Sequence, residues 1–350
     1  MSGRMPGSGS PLVDVFYGGI ARGSDCGGRV CAVPVRGKDR GDVMDTILKI
    51  LAAHLRTIFK KLTMKTEELF EIRLRAEKPL VLHTMSGEFF LTGEGKLTSS
   101  AGQAYIVRKN ELRETMEYIS NYSLYAFGEE VRQGYITLPG GHRVGICGRV
   151  VLEEGHIHSM KYIACLNIRF AHPVLGCADG LMPYIREGGR VYNTLFIAPP
   201  GCGKTTMLRD VVRQLSDGGK TVGVVDERSE IAACSLGVPQ FDVGLRTDVL
   251  DCCPKAEGMM LLIRSMAPEV LAVDEVGRQE DFDALTYALH CGCVLLATVH
   301  GEDFNELLCK PGLREICAEG LFERYLILGK KAGRVCVREV LDGEGRRLIC

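Results

Sequence analysis

The segment Asn193-Thr-Leu-Phe-Ile-Ala-Pro-Pro-Gly-Cys-Gly-Lys-Thr205 decides the fold of this chain. Its second part, from Ala198 to Thr205, follows the spacing G-x-x-x-x-G-K-[ST] of a phosphate-binding loop, except that Ala198 stands in place of the first glycine. An apolar run precedes the loop, and a helical pattern begins at Lys204. This order of strand, loop and helix predicts a P-loop nucleotide-binding domain.

The chemistry of the loop predicts ATP and Mg²⁺ as its ligands. Gly201 and Gly203 allow the backbone to curl, so that its N–H groups converge on phosphate oxygens. Lys204 can reach the β and γ phosphates, and the Thr205 hydroxyl is a ligand for Mg²⁺. The predicted nucleotide-binding residues are Pro199, Pro200, Gly201, Cys202, Gly203, Lys204, Thr205 and Thr206.

A second motif, Val270-Leu-Ala-Val-Asp274-Glu275, ends an apolar run in two carboxylates. Ligands of α/β proteins bind at the carboxyl ends of parallel strands, which predicts that these acids face the phosphate loop. We expect Asp274 to hold Mg²⁺ and Glu275 to orient and polarise the attacking water. A third apolar run ends at Thr298 and His300, and either side chain could sense the γ phosphate.

Apolar runs and helical patterns alternate from Val191 onwards, which predicts a parallel sheet with helices on both faces. The runs YLILGK (325–330) and RVCVREVLD (334–342) predict a closing antiparallel hairpin. The fold class is therefore α/β. After a break at Glu187-Gly188-Gly189, residues 188–350 are predicted to form the P-loop domain.

Residues 42–187 predict a smaller α+β domain in front of it. Helical spacing of apolar residues covers Asp45–Leu62 and Asn110–Tyr118. Short strands are predicted within 70–98 and 131–151 and over Met160–Phe170. Residues 1–41 are rich in Gly, Ser, Pro and Arg without periodicity, and they predict a disordered leader.

Composition excludes several classes of protein. The 350 residues contain 43 Lys+Arg against 44 Asp+Glu, a net charge of −1. Proteins that coat phosphate backbones carry a large basic excess, so stable nucleic-acid binding is not expected. No apolar run reaches the roughly 18 residues that span a bilayer. The 15 cysteines are odd in number and include no C-x-x-C pair, which suits reduced thiols in a cytoplasm.

Five segments of the second half carry a family resemblance. They are 226–230 (DERSE), 244–250 (GLRTDVL), 254–258 (PKAEG), 263–270 (IRSMAPEV) and 274–278 (DEVGR). Together they resemble the stage III sporulation AA family, within the wider type II and type IV secretion ATPases. The resemblance implies a RecA-like motor core behind a smaller N-terminal domain. It also implies assembly as a ring, with a hexamer expected, at the mother-cell face of the channel to the forespore. Its implied partners are integral membrane subunits of that channel, which would hold it at the inner face of the membrane.

The resemblance also implies roles for single residues. Glu230 lies in a segment similar to the acidic box of secretion ATPases, and His300 in one similar to their histidine box. With Lys204 and Glu275, these side chains form the expected catalytic set. A ring further implies an arginine supplied by a neighbouring copy. We favour Arg246 and Arg278, which flank the acidic motifs, and the other candidates are Arg264, Arg143 and Arg169.

Three other functions remain open on the sequence alone. RecA-like cores also serve ATPases that act on single-stranded nucleic acid, although no basic run with interleaved aromatic residues is present. A nucleotide-dependent scaffold without hydrolysis would not need the Asp274–Glu275 pair. A small-molecule kinase would need a lid over its acceptor, and the sequence offers no obvious one.

Overall fold

The computed structural model describes residues 42–65, 68–121, 127–172, 174–331 and 334–349. The predicted leader, 1–41, lies outside the described residues. The N-terminal elements are α1 (Asp42–Ile50), α2 (Ala53–Phe59), β1 (Leu69–Arg75), β2 (Val81–Thr84), β3 (Gly87–Leu91), β4 (Leu97–Thr98), a 3₁₀ turn (Ala101–Gln103), α3 (Lys109–Ile119), α4 (Gly128–Gln133), β5 (Tyr135–Thr137), β6 (Arg143–Glu153) and β7 (His156–Arg169). Within the described residues, no helix is both long and apolar enough to cross a bilayer.

These strands form one antiparallel sheet in the order β4-β3-β2-β1-β7-β6-β5. Side chains alternate between the two faces of a strand, so Ile72 and Leu74 of β1 point to one face together. Both are fully buried in a core shared with the helices, for example with Leu55 of α2 and Leu112 of α3. Arg73, between them, lies on the opposite face.

The single helix predicted over Asp45–Leu62 is wrong, because the structure has two helices that meet at Leu51 and Ala52. Ala52 is extended, with φ −53° and ψ 149°. Its N–H donates to Oγ1 of Thr115 in α3 at 3.0 Å. A tertiary hydrogen bond therefore replaces the helical one and turns the chain around the core.

The C-terminal elements begin with α5 (Met182–Ile185) and a ribbon of β8 (Arg186–Glu187) and β9 (Arg190–Val191). They continue with β10 (Thr194–Ala198), α6 (Lys204–Asp217), β11 (Val222–Asp226), β12 (Thr247–Asp251), α7 (Lys255–Met266), β13 (Val270–Val273), α8 (Gln279–His290), β14 (Val294–His300), α9 (Phe304–Leu308), α10 (Pro311–Ala318), β15 (Arg324–Lys331), β16 (Arg334–Asp342) and β17 (Arg347–Ile349). The sheet order is β12-β11-β13-β14-β10-β15-β16-β17. Strands β10 to β15 pair in parallel, and β16 and β17 close the sheet antiparallel, which confirms the predicted hairpin.

Helices cover both faces of this sheet, as predicted. Along β10, Phe196 and Ala198 pack in a core with α6, whereas Leu195 and Ile197 pack in a second core with α7, α8 and α10. A parallel sheet buried on both faces favours continuous apolar strands, and every residue of β10 is buried. The α/β fold class is confirmed. Strand β12 was not predicted, because Thr247–Asp251 is an edge strand that keeps polar side chains.

The strand order positions the functional site. The strands β11, β13, β14 and β10 are neighbours and run in one direction. Their carboxyl ends therefore share one edge of the sheet. Ala198, Asp226, Val273 and His300 end these strands, so the three sequence motifs meet at this edge.

Candidate functional site

The phosphate loop connects β10 to α6 at the carboxyl edge of the sheet. Gly201 and Gly203 have φ values of 69° and 89°, in the left-handed region that favours glycine. A Cβ atom on Gly203 would also collide with the Val335 side chain. Glycine is thus required at Gly203 for both backbone conformation and space, and the loop can present its N–H groups beside the first turn of α6.

Lys204 begins α6 and is 4% exposed. Its Nζ donates to the carbonyl of Ala198 at 3.3 Å and lies 2.8 Å from Nδ1 of His300. Burial lowers the pKa of Lys204, and attraction by Asp274 and Glu275 opposes this shift. The ammonium group is held at the mouth of the loop by neutral partners, where a phosphate would supply the missing negative charge.

Two hydroxyl groups converge on the carboxylate of Asp274. Thr205 donates to Oδ2, and Thr298 donates to Oδ1. Hydroxyl and carboxylate oxygens are the hard ligands that Mg²⁺ prefers, and Mg²⁺ usually takes only one or two carboxylates beside substrate phosphates. The described residues contain no cluster of three or more His, Cys, Asp or Glu side chains suited to a metal. Thr205 and Asp274 thus present a hydroxyl and a carboxylate, the ligand types that fit a magnesium ion at this edge of the sheet.

Glu275 lies immediately beside this pair, in a left-handed backbone conformation with φ 54°. Its N–H donates to Oγ1 of Thr298 at 2.9 Å. One carboxylate oxygen, Oε1, lies 3.0 Å from Nε2 of His300, and Oε2 accepts from Arg228 at 2.6 Å. The imidazole of His300 thus joins Glu275 to Lys204, and the two motifs face the same space.

The acidic box begins at Asp226, at the carboxyl end of β11. Its carboxylate accepts from the N–H groups of Glu230, Ile231 and Ala232 at 2.8 to 2.9 Å. Burial raises the pKa of Asp226 to about 6, although these backbone N–H groups work against the shift. Asp226 therefore organises the turn of the acidic box.

Glu230 ends that turn and pairs with the N-terminal sheet. Its carboxylate accepts from Arg143 at 2.8 Å. The Arg143 guanidinium also lies over the ring of Tyr135, 3.4 Å from the ring centroid. Of the arginines considered in the sequence, Arg143 is the one that the fold joins to the acidic box.

Arg246, one of the two favoured arginines, does not lie at the carboxyl edge of the sheet in its own chain. Its carbonyl accepts from Val222, the first residue of β11. Four residues of strand separate Val222 from Asp226, so Arg246 lies about 13 Å from the carboxyl edge. Arg264 lies in the last turn of α7, shortly before the amino end of β13. Arg169 and Arg278 are exposed, the first at the end of β7 and the second before α8.

Two contributors to the site were missed by sequence reasoning. Arg228 stands in the middle of the acidic box, but its partner Glu275 is 47 residues away. Tyr135 donates its hydroxyl hydrogen to the carbonyl of Arg228 at 3.1 Å, over 93 residues. Neither residue type is distinctive in a local pattern, so no local signal identified them.

A family model for sporulation stage III, protein AA, matches residues 41–348. The stage III sporulation protein AA of Bacillus subtilis (strain 168) is 43% identical over 286 residues, which cover 80% of this chain and 89% of that protein. The Arabidopsis thaliana protein SEEDLING PLASTID DEVELOPMENT 1 is 30% identical over 43% of this chain, but only 22% of its own length is covered.

Two solved structures illustrate the fold that this chain shares with known proteins. The pilus retraction motor PilT with bound ADP matches with a TM-score of 0.53 and 13% identity, over 83% of this chain and 82% of that chain. The Legionella pneumophila ATPase DotB matches with a TM-score of 0.51 and 16% identity, over 80% and 78%. These likenesses confirm the predicted RecA-like P-loop fold.

Proposed function

Because this chain belongs to the sporulation stage III protein AA family, we propose that its ATPase-like role in sporulation is the hydrolysis of ATP. One observation carries the proposal. Lys204 and Glu275 contact the same imidazole, that of His300, at 2.8 Å and 3.0 Å, beside the Thr205–Asp274 pair. A phosphate-binding cation, a metal-ligand pair and a candidate base therefore converge at one edge of the sheet.

Each side chain of the site can serve one role in ATP hydrolysis from the position that it occupies. The loop N–H groups and Lys204 bind the phosphates and offset the charge that develops during transfer. Thr205 and Asp274 would hold a magnesium ion, which would neutralise part of the phosphate charge. Glu275 orients the attacking water. His300 accepts a hydrogen bond from the Lys204 ammonium at Nδ1, so its proton is on Nε2 and is donated to Glu275.

Glu275→Gln tests the proposal directly. The amide keeps the size of the side chain but cannot act as a base, so ATP should still bind while phosphate release falls by about 10²- to 10⁴-fold. The matched control is Glu269→Gln, at the amino end of β13. Turnover that survives Glu275→Gln would contradict the assignment of the base.

We further propose that the chain works as a ring, in the manner expected of a hexamer, and docks on membrane subunits of the sporulation channel. Family membership supports this proposal. In a ring, Arg246, Arg264, Arg278 or Arg169 of one copy would be free to approach the nucleotide of the next. Turnover per chain should then rise with protein concentration, together with the mass measured by light scattering. Constant turnover across assembly would exclude an arginine supplied between copies.

The alternative of an ATPase driven by single-stranded nucleic acid makes a different prediction. It requires stimulation by single-stranded DNA or RNA that falls steeply with salt. We expect none, because Arg143 and Arg73, on one face of the N-terminal sheet, already pair with Glu230 and Glu71.

A further inference from the structure

Both carboxylate oxygens of Glu275 are engaged in this structure. Oε1 accepts from Nε2 of His300, and Oε2 accepts from the guanidinium of Arg228. Each oxygen keeps a second lone pair, but the two partners fix the direction in which the remaining lone pairs point. The carboxylate can turn towards a water only when one of the two partners is released.

Arg228 is the partner that can leave at lower cost. Its side chain is 62% exposed, so water can solvate the guanidinium once the pair is broken. His300, by contrast, is also bound to Lys204.

The N-terminal sheet holds the backbone on which Arg228 stands. Tyr135 of β5 donates its hydroxyl hydrogen to the Arg228 carbonyl at 3.1 Å, and Arg143 of β6 binds Glu230 two residues later. Ser229, between these two anchors, has φ 53° in the left-handed region. A non-glycine residue keeps such a conformation only where its surroundings enforce it. The segment 228–230 is thus held from two sides. The N-terminal sheet binds it through Tyr135 and Arg143. Its own domain binds Glu230 through Asp226, which accepts from the Glu230 N–H, and through Arg209, which donates to the Glu230 carbonyl at 2.6 Å.

We propose that Arg228 is a positioning residue that restrains Glu275, and that Tyr135 maintains this clamp from the N-terminal sheet. The inference rests on the proposed hydrolysis of ATP and specifies how that activity is restrained. The Arg228 guanidinium occupies a lone pair of Oε2 and holds the carboxylate in one orientation, so the pair must loosen when Glu275 turns to polarise water. A movement of the N-terminal sheet that breaks the Tyr135 hydrogen bond loosens the clamp, which links the two sheets to turnover.

The test compares phosphate release by full-length wild type, Arg228→Gln and Arg228→Lys. Arg228→Gln should raise kcat by about two- to fivefold, the range that a largely exposed ion pair allows, with KM for ATP unchanged. Arg228→Lys keeps the charge and should stay closer to wild type than Arg228→Gln. Tyr135→Phe keeps the ring beneath Arg143 but removes the hydroxyl, so it should raise kcat less, and add nothing in the Arg228→Gln background.

The same substitution in the Glu275→Gln background distinguishes a failure of this inference from a failure of the proposed function. Arg228→Gln combined with Glu275→Gln should turn over no faster than Glu275→Gln alone, because no carboxylate remains to be released. A fall in kcat, or a rise in KM, on Arg228→Gln would overturn the clamp and leave the hydrolase intact. Absence of phosphate release from the wild type would overturn both.

Discussion

Nδ1 of His300 lies 2.8 Å from Nζ of Lys204, across 96 residues of sequence. The ammonium group has only hydrogens to donate, so the imidazole must accept at Nδ1 and donate from Nε2. The tautomer of His300 is thereby set by the phosphate-loop lysine. A substitution of either residue should therefore alter the hydrogen bonding of Glu275, which accepts the hydrogen bond from Nε2.

His300→Ala should lower kcat by about 10- to 100-fold, the factor expected for losing hydrogen bonds to charged groups. The Kd for ATP should change little, because the phosphate-binding groups remain. Phosphate release and nucleotide titration measure the two quantities. His290→Ala is the matched control, since His290 is exposed and lies before the amino end of β14. Equal effects of the two substitutions would argue against a role for His300.

Lys204→Ala should weaken ATP binding by at least about tenfold, because a charge-assisted contact to phosphate is lost. Calorimetric titration with ATP measures the change. The control is Lys220→Ala, which removes another lysine of the same sheet. Lys220 pairs with Glu269 at the amino edge, so its loss should leave ATP affinity unaltered. Similar losses for both variants would contradict the placement of the nucleotide.

The Arg143–Glu230 pair should contribute about 0.5–1 kcal/mol of coupling, because its side chains are partly exposed, at 24% and 41%. A double-mutant cycle of Arg143→Ala and Glu230→Ala, measured by urea unfolding, reports this coupling. The exposed pair Lys96–Glu94 serves as a control and should give close to zero. No coupling at Arg143–Glu230 would mean that the two sheets do not share this contact in solution.

The contribution of Asp226 to stability should fall as pH rises from about 4 to about 6. The folded chain binds a proton at Asp226 more tightly than the unfolded chain, since burial raises the pKa from 3.8 to about 6. A shift of about two units corresponds to about 3 kcal/mol, present in full below the unfolded pKa and lost above the folded one. Urea unfolding across this range should give a steeper decline for wild type than for Asp226→Asn. Parallel pH profiles would show that Asp226 is not buried as described.

The nucleotide edge of this protein was predictable from sequence because its parts are local. The glycine loop lies between an apolar strand and a helix, and the acidic and histidine residues lie at the ends of apolar runs. Secondary structure alone sets these spacings along the chain. Parallel strands place all their carboxyl ends together, so Lys204, Asp274, Glu275 and His300 meet without further information.

Other relationships depended on tertiary structure. The sequence contains 43 basic residues, and no local pattern tells which of them faces a given carboxylate. The sequence argument favoured Arg246 and Arg278 as arginines supplied between copies, which stays a prediction. No motif indicated that the fold brings Arg228 to Glu275. The turn at Ala52 likewise depends on Thr115, 63 residues away. Periodicity and motif spacing determine which elements form and which edge binds phosphate, but long-range pairing of charges and hydrogen-bond donors is decided only when the two sheets pack.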